Sequence, residues 1–350
     1  VSGNSAMKTN KEIKFVNQKF PDMARISSLL EICAAQNTWA NRGPLYEKLA
    51  NDYSAHFGLT SACSITPCAN AGIALEAMAR VLASREDRKL KWVGSAFSFQ
   101  NLGRGFFADM TLLDCTEQGL LDLDRVRELP SDSFDGIIVV NPFGLFQDFS
   151  EYTAFSQETG KFLLIDNAAG ISRSMPDWPW QALSLHHTKP YGMGEGGLAL
   201  TPSEASGELY SLLNYGPVPR DAASWLNNGK LSDIACAFLI ERLEKAPEWE
   251  PLYLEQSARV HRIASGLGFS PIRPFGVTAP AMSWGYIGPN EIPLERVMET
   301  RRLTFAKYYK PLAESPKTKA LYAHLVNIPT HPDVAALTDG ELEDEIARLL

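Results

Sequence analysis

The chain has no block of clustered lysine and arginine, and its formal net charge is −8. Nucleic-acid binding needs closely spaced cations to neutralise phosphates, so that class of partner is not expected. No apolar run approaches the ~20 residues that a bilayer-spanning helix requires, which argues against a membrane partner. Cysteine is sparse: Cys33, Cys63, Cys68, Cys115 and Cys236 are scattered, odd in number and free of any C-x-x-C pair. They read as reduced thiols of a cytoplasmic protein. Neither a G-x-S-x-G elbow nor a GKS or GKT phosphate loop occurs, so hydrolase and nucleoside-triphosphatase readings lack their signatures. No secretory signal precedes Met7, and the first six residues, VSGNSA, read as a remnant added to the natural chain.

What is present suits a globular protein: 350 residues, 45% hydrophobic and 21% charged, enough for one large domain and a smaller one. The runs LKWVGSAFSF, DMTLLDC, GIIVVNPFG, KFLLIDNAAG and GGLALTP alternate with helical patterns. That alternation predicts an α/β fold, a mostly parallel sheet flanked by helices. Helices are expected over residues 71–82, 122–128 and 148–159, the first capped by Asn70 after a turn at TPCAN. From about Ile234 the pattern becomes mainly helical and ends in a mixed tail, which predicts a smaller α+β C-terminal domain. The expected division is a tagged or disordered tail over 1–13, a large domain over 14–235 and a small one over 236–350. The acidic DGELEDE near the end reads as a solvated helix face.

The segment Ser184 to Gly197, SLHHTKPYGMGEGG, carries the candidate chemistry. Its glycines invite a dinucleotide-loop reading, but they lead into the strand-like LALTP, whereas that motif needs a strand, then the glycines, then a helix. His186 and His187 are adjacent, so an extended backbone points them to opposite sides, and no third ligand stands at metal-site spacing; no metal is expected. Lys189 remains, downstream of Asp166, which ends the apolar run KFLLID where a parallel strand reaches the carboxyl edge of its sheet. Ligands bind at that edge in open α/β sheets. An amine, an acid and a helix N-terminus are the parts that pyridoxal 5′-phosphate needs: a Schiff-base partner, a partner for the ring nitrogen and a phosphate cradle. Each part alone also has an ordinary reading, a solvated lysine or an aspartate capping the next turn.

The order and spacing of these parts resemble the DegT/DnrJ/StrS family of pyridoxal-phosphate-dependent nucleotide-sugar aminotransferases, which have the aspartate-aminotransferase fold (fold type I). The resemblance runs from about residue 14 to the end. NTWANRGPLYEKLANDYSAHFG looks like the family's W-x-x-x-G-P segment and first helix, and VNIPTHPDVAALTDGELEDEIARLL like its closing strand and helix. Its most specific part is Ser184, Thr188, Lys189 and then Gly194-Glu195-Gly196-Gly197. The resemblance implies that Lys189 is the Schiff-base lysine and proton carrier, that Ser184 helps hold the phosphate, and that Asp166 pairs with the pyridinium nitrogen. It also places Ala71 and Gly72 at the phosphate-binding helix N-terminus, with Asn70 in place of the usual threonine. Phe99 falls on the aromatic that stacks on the cofactor ring, although a core strand residue is an equal reading of that Phe. Asn228 matches the asparagine that reaches the cofactor phosphate of a neighbouring subunit, which implies a homodimer with shared active sites.

Besides Asn70, three positions depart from the family. Ala169 stands where a glutamine is usual, Asn141 replaces the histidine of H-x-x-G, and Lys230 replaces an arginine. Members that carry histidine in place of the lysine are sugar dehydratases, so a retained Lys189 points to transamination. The expected function is transfer of an amino group from an amino acid, glutamate foremost, to a nucleotide-linked keto sugar in amino-sugar, polysaccharide or antibiotic biosynthesis. The alternatives are a cyclitol or other small ketone as acceptor, or a protein that binds the cofactor without turnover.

Overall fold

The computed structural model describes residues 12–215, 228–276 and 279–350. Two helices, α1 (Met23–Gln36) and α2 (Pro44–His56), precede strand β1 (Cys63–Cys68) and helix α3 (Ala71–Arg85). There follow β2 (Trp92–Ser95), β3 (Thr111–Leu113), α4 (Leu123–Arg127), β4 (Gly136–Val140), α5 (Ser150–Thr159) and β5 (Phe162–Asp166). An antiparallel pair, β6 (Gln181–Ser184) and β7 (Gly197–Pro202), leads to α6 (Ser206–Leu213), α7 (Asp233–Glu244) and the long α8 (Ala246–Gly266). The last part holds β8 (Ser270–Pro271), β9 (Ser283–Ile287), α9 (Leu294–Met298), α10 (Pro316–His324), β10 (Leu325–Pro329) and α11 (Asp339–Ala347).

Seven strands form the main sheet in the order β1-β7-β6-β5-β4-β2-β3, and β10-β9-β8 form a small antiparallel sheet. Strands β3, β2, β4, β5 and β6 run parallel, while β7 is antiparallel to both β6 and β1. The parallel strands are buried on both faces, and their sequences show why. In GIIVV, Ile137 and Val139 pack with α5, α8 and the small C-terminal sheet, whereas Ile138 and Val140 pack under α3. In β7, Leu198 and Leu200 face the α1, α2 and α7 layer and Ala199 faces α3. Such strands read as continuous apolar runs rather than alternating ones. The alanines of α3, Ala74, Ala77 and Ala79, lie flat in the core and let that helix sit close to the sheet, while Leu75, Met78 and Val81 each contribute roughly 1.5–3 kcal/mol by burial.

Two of the seven strands were not expected. TPCAN does not begin as a turn: Thr66, Pro67 and Cys68 complete β1, and only then does Asn70 cap α3. Pro67 masked this strand, and it is tolerated because β1 lies at the sheet edge. Strand β6, QALS, is too short and mixed to show a period. Conversely, LKWVGSAFSF is strand only from Trp92 to Ser95, so Phe99 is not a core strand residue. All five cysteines are free thiols. Among the described residues no helix is long and apolar enough to cross a membrane.

Of the N-terminal tail, residues 1–11 lie outside the described residues. Ile13 is buried and bridges to Leu303. At the other junction, Asp233 is buried at the start of α7 and accepts from the amides of Gly43 (3.2 Å), Leu45 (2.8 Å) and Tyr46 (3.1 Å). It thus satisfies the open first turn of α2 from across the fold. A Cβ at Gly43 would fall 2.5 Å from that carboxylate, so the G-P step of NRGP is dictated by this contact.

Candidate active site

A cavity of about 460 Å³ opens at the carboxyl ends of β4, β5 and β6, against the N-terminus of α3. Asp166, Lys189, Ser184, Asn70, Ala71, Gly72 and Phe99 all line it. Asn228 does not; it pairs with Asn214, and its neighbour Lys230 holds its amine 5.0 Å from the ring centre of Tyr215. The residues just before Asn228 in SWLNN, Trp225 to Asn227, lie outside the described residues.

Asp166 ends β5, and its side chain is almost wholly enclosed. It accepts from the Ala168 amide (3.2 Å) and the Asn101 side-chain amide (3.4 Å). Burial pushes its pKa up, against those two donors and the charge of Lys189. Lys189 is pushed the other way: burial lowers its pKa, and Asp166 partly opposes that. An amine held toward its neutral form is a nucleophile and a base, which is the use that buried lysines serve.

The helix N-terminus is well formed. The Asn70 carboxamide oxygen accepts from the Ile73 amide (2.9 Å), and Ala71 and Gly72, whose first-turn amides have no acceptor within the helix, line the cavity. Such an end, at the positive pole of the helix, favours an anionic group. Gly197 makes the arrangement possible, because a Cβ there would lie 2.4 Å from the Asn70 carbonyl carbon and 2.6 Å from the Ala71 nitrogen. The last glycine of GEGG is therefore required by close backbone approach to the helix, and not by contact with a nucleotide. Ser184, at the end of β6, accepts at Oγ from the His186 amide (3.2 Å). His186 lines the cavity and sits 3.5 Å from Glu195, whereas His187 lies toward Lys19 and Arg242.

Phe99 stands at the cavity mouth, half exposed, while Phe97 two residues earlier is fully buried. Sequence reasoning missed Asn101, Phe143 and Tyr309. Phe143 and Tyr309 stack with ring centres 4.8 Å apart and form an apolar wall. Burial foremost, and then the charge of Asp166, push the Tyr309 phenol above its ordinary range. Asn101 places a buried carboxamide oxygen here with no partner in the protein, an acceptor that a bound molecule can satisfy.

Asn141, a departure from the family, forms one unit with Asn167. Asn141 donates to Asn167 (2.8 Å) and to the Phe146 carbonyl (2.8 Å), and Asn167 donates in turn to Gln181 (3.0 Å). Asn167 is fully buried in this amide chain and does not line the cavity, so it does not take the place of the usual glutamine at Ala169. The donor set as a whole fits a phosphorylated pyridine aldehyde: amide donors for an anion, a carboxyl for a ring nitrogen, a flanking aromatic and one reactive amine.

Comparison with known proteins gives a consistent result. The model of the DegT/DnrJ/EryC1/StrS aminotransferase family matches residues 23–263. Protein Rv3402c of Mycobacterium tuberculosis is 25% identical over an alignment of 253 residues that covers 66% of this chain and 60% of that protein. The chain thus spans about 60% of the length of the curated relatives it matches. Among solved structures, PseC of Helicobacter pylori, an aminotransferase involved in the biosynthesis of pseudoaminic acid, has a TM-score of 0.82 at 16% identity, covering 97% of this chain and 99% of its own. DesI, solved in the presence of its TDP-sugar product, has a TM-score of 0.76 at 18% identity, covering 95% and 90%. At these identities the structural likeness establishes the fold.

Proposed function

The chain belongs to the DegT/DnrJ/EryC1/StrS aminotransferase family, and on that premise we propose that it is a pyridoxal-phosphate-dependent aminotransferase acting on a nucleotide-linked keto sugar, with L-glutamate as amino donor. The observation that carries this reading is the convergence of the Lys189 amine, the Asp166 carboxyl and the open α3 N-terminus on one cavity. When bound, pyridoxal phosphate supplies an aldehyde that condenses with amines and a ring that takes up the electron pair left when the donor's α-carbon loses its proton.

The roles of the chain's own residues are read from their places around the cavity. The Ala71 and Gly72 amides and Ser184 Oγ would hold the phosphate, the Asp166 carboxyl would pair with the ring nitrogen and keep it protonated, and Phe99 would pack against the ring. Lys189 Nζ would bind the aldehyde and, when free, serve as the base for the donor's α-proton. The stacked Phe143 and Tyr309 would keep water from their side of the cavity. A sugar acceptor is supported by PseC and by DesI with its TDP-sugar product. A homodimer with shared sites is supported by Asn228, which lies off this subunit's own cavity beside Asn214.

The spectrum of the purified protein tests the reading. Added pyridoxal phosphate is expected to produce a near-visible band that shifts on adding glutamate. A protein that stays colourless under saturating cofactor removes the assignment. A second expectation concerns Gly197→Ala: the added methyl collides with the Asn70–Ala71 backbone. Affinity for pyridoxamine phosphate, read by fluorescence titration, should fall roughly tenfold or more, ~1.4 kcal/mol, with stability lowered by about 1–3 kcal/mol through overpacking. Unchanged affinity would show that this helix end does not hold the phosphate.

A further inference from the structure

Four backbone carbonyls of the loop that carries Lys189 are taken by two cations that do not line the cavity. Lys19 Nζ donates to the carbonyls of His187 (2.7 Å), Lys189 (2.6 Å) and Gly192 (2.6 Å). Arg242 Nε, on α7, donates to the Pro190 carbonyl (2.9 Å), with its guanidinium 3.9 Å from the Trp249 ring centre. An ammonium has three N–H donors and no acceptor, so Lys19 spends its whole bonding capacity on this one loop. Burial, and then the charge of Arg242, push its pKa down to about 6; a neutral amine has only two N–H donors, however, so three carbonyls within 2.7 Å call for the ammonium and favour the proton staying on. A lysine placed at that electrostatic cost without an apparent catalytic target calls for a reason.

The segment that delivers Lys19 is itself tied down along its length. The Ile13 amide donates to the Arg302 carbonyl (2.8 Å), and the Thr304 amide to the Ile13 carbonyl (2.9 Å). His331 Nε2 meets the Lys14 carbonyl (3.0 Å), and the Tyr253 hydroxyl donates to Asn17 (3.0 Å). The Gln18 amide donates to Asp333 (2.8 Å), and the Asp22 amide to Glu241 (3.0 Å). Lys19 therefore reaches the loop from a fixed base. The loop's own bonds close its base, Leu185 amide to Gly196 carbonyl (2.8 Å), His187 amide to Gly194 carbonyl (2.7 Å) and Met193 amide to Leu185 carbonyl (3.1 Å), while around Lys189 itself the backbone bonds are two short turns, Lys189 amide to His186 carbonyl (2.8 Å) and Gly192 amide to Lys189 carbonyl (2.9 Å). A loop containing Gly192 and Gly194 loses much conformational freedom when ordered, so an external hold is consequential.

We propose that Lys19 is a positioning residue for Lys189: it fixes the backbone of residues 187–192 so that the Lys189 amine is presented to the cavity beside Asp166, with Arg242 bracing the same loop at Pro190. This rests on the reading of Lys189 as the amine that anchors pyridoxal phosphate. A misplacement of ~1 Å at a reacting atom can cost on the order of a hundredfold in rate, which is the scale on which loss of the clamp should register.

The test uses the full chain with Lys19→Met, which keeps an unbranched apolar stem and removes the donors, and Lys19→Gln, which keeps two donors. Three measurements separate positioning from general packing. Affinity for pyridoxamine phosphate needs the phosphate and ring contacts but no bond to Lys189. The rate at which added pyridoxal phosphate develops its near-visible band requires the Lys189 nitrogen to form a C=N bond with the aldehyde carbon, the aldehyde oxygen leaving as water. Hydrogen exchange of residues 185–196 without cofactor reads the clamp directly. In Lys19→Met, pyridoxamine phosphate affinity should stay within about threefold, while band development slows by on the order of tenfold or more and exchange quickens; Lys19→Gln should fall between. Unchanged band development in both variants overturns the proposal, as does an equal loss of pyridoxamine phosphate affinity and band development. If the natural chain forms no band at all, the cofactor reading has failed and the proposal falls with it, a result distinct from a normal band that is insensitive to Lys19.

Discussion

Lys189→Ala, saturated with pyridoxal phosphate, is expected to lose turnover by on the order of 10⁴-fold, the upper range for removing a positioned proton-transfer group. Among the described residues, the amine is the one group on the cavity that combines a pKa lowered by burial with a place beside the strand-end acid. No other lysine lines the cavity among the described residues, so no second amine stands ready to substitute. In the proposed site the phosphate is held by α3 and β6 rather than by the lysine, so pyridoxamine phosphate should bind the variant nearly as well as the natural chain. The predicted signature is thus a collapse of kcat with cofactor affinity preserved, measured by single-turnover transamination with glutamate alongside fluorescence titration. Undiminished transamination by the variant would sink the assignment of Lys189. Equal loss of pyridoxamine phosphate binding would mean that the lysine holds the pocket together rather than performing its chemistry.

Much of this site was legible in the sequence because its chemistry is local. Asp166 terminates an apolar run, Asn70 precedes a helical period, and Lys189 sits at fixed spacing before the glycines. The residues that were not legible reach the cavity through topology. Asn101 meets Asp166 across 65 positions of sequence, and Tyr309 arrives from the segment between α9 and α10 to stack on Phe143. The amide chain was hidden for a related reason. The parallel register sets Val140 opposite Asp166, so Asn141 and Asn167 follow as neighbours, but no local pattern states that register. The strands that escaped notice carry a proline at an edge, Pro67, or a buried polar residue, Gln181. The latter is satisfied by Asn167 and by the carbonyls of Pro176 and Trp178. Burial of a polar side chain leaves no hydrophobic period to read.

Asp166→Asn should separate what this residue does for the reaction from what it costs the fold. An asparagine can still accept from the Ala168 amide, but it cannot hold a ring nitrogen protonated. Turnover is expected to fall by roughly 10²–10³-fold, the scale for removing one electrostatic partner of a transition state. The band formed with Lys189 should persist. Stability should move the other way. The folded-state pKa of Asp166 is raised above its unfolded value, chiefly by burial. Its contribution to stability is therefore fully present below the unfolded carboxylate pKa and is lost as pH rises through the folded value. At neutral pH the natural carboxylate is a burden that asparagine does not carry. Because the charge of Lys189 partly offsets that burden, the comparison is cleanest between Lys189→Ala and Lys189→Ala/Asp166→Asn, both without cofactor. The double variant should melt higher at neutral pH, and the gap should close on acidification as the carboxyl protonates. A gap of the opposite sign, or one independent of pH, would show that Asp166 ionises in the fold without penalty. In that case its environment would not be the one that distinguishes a cofactor-pairing acid from an ordinary strand-end cap.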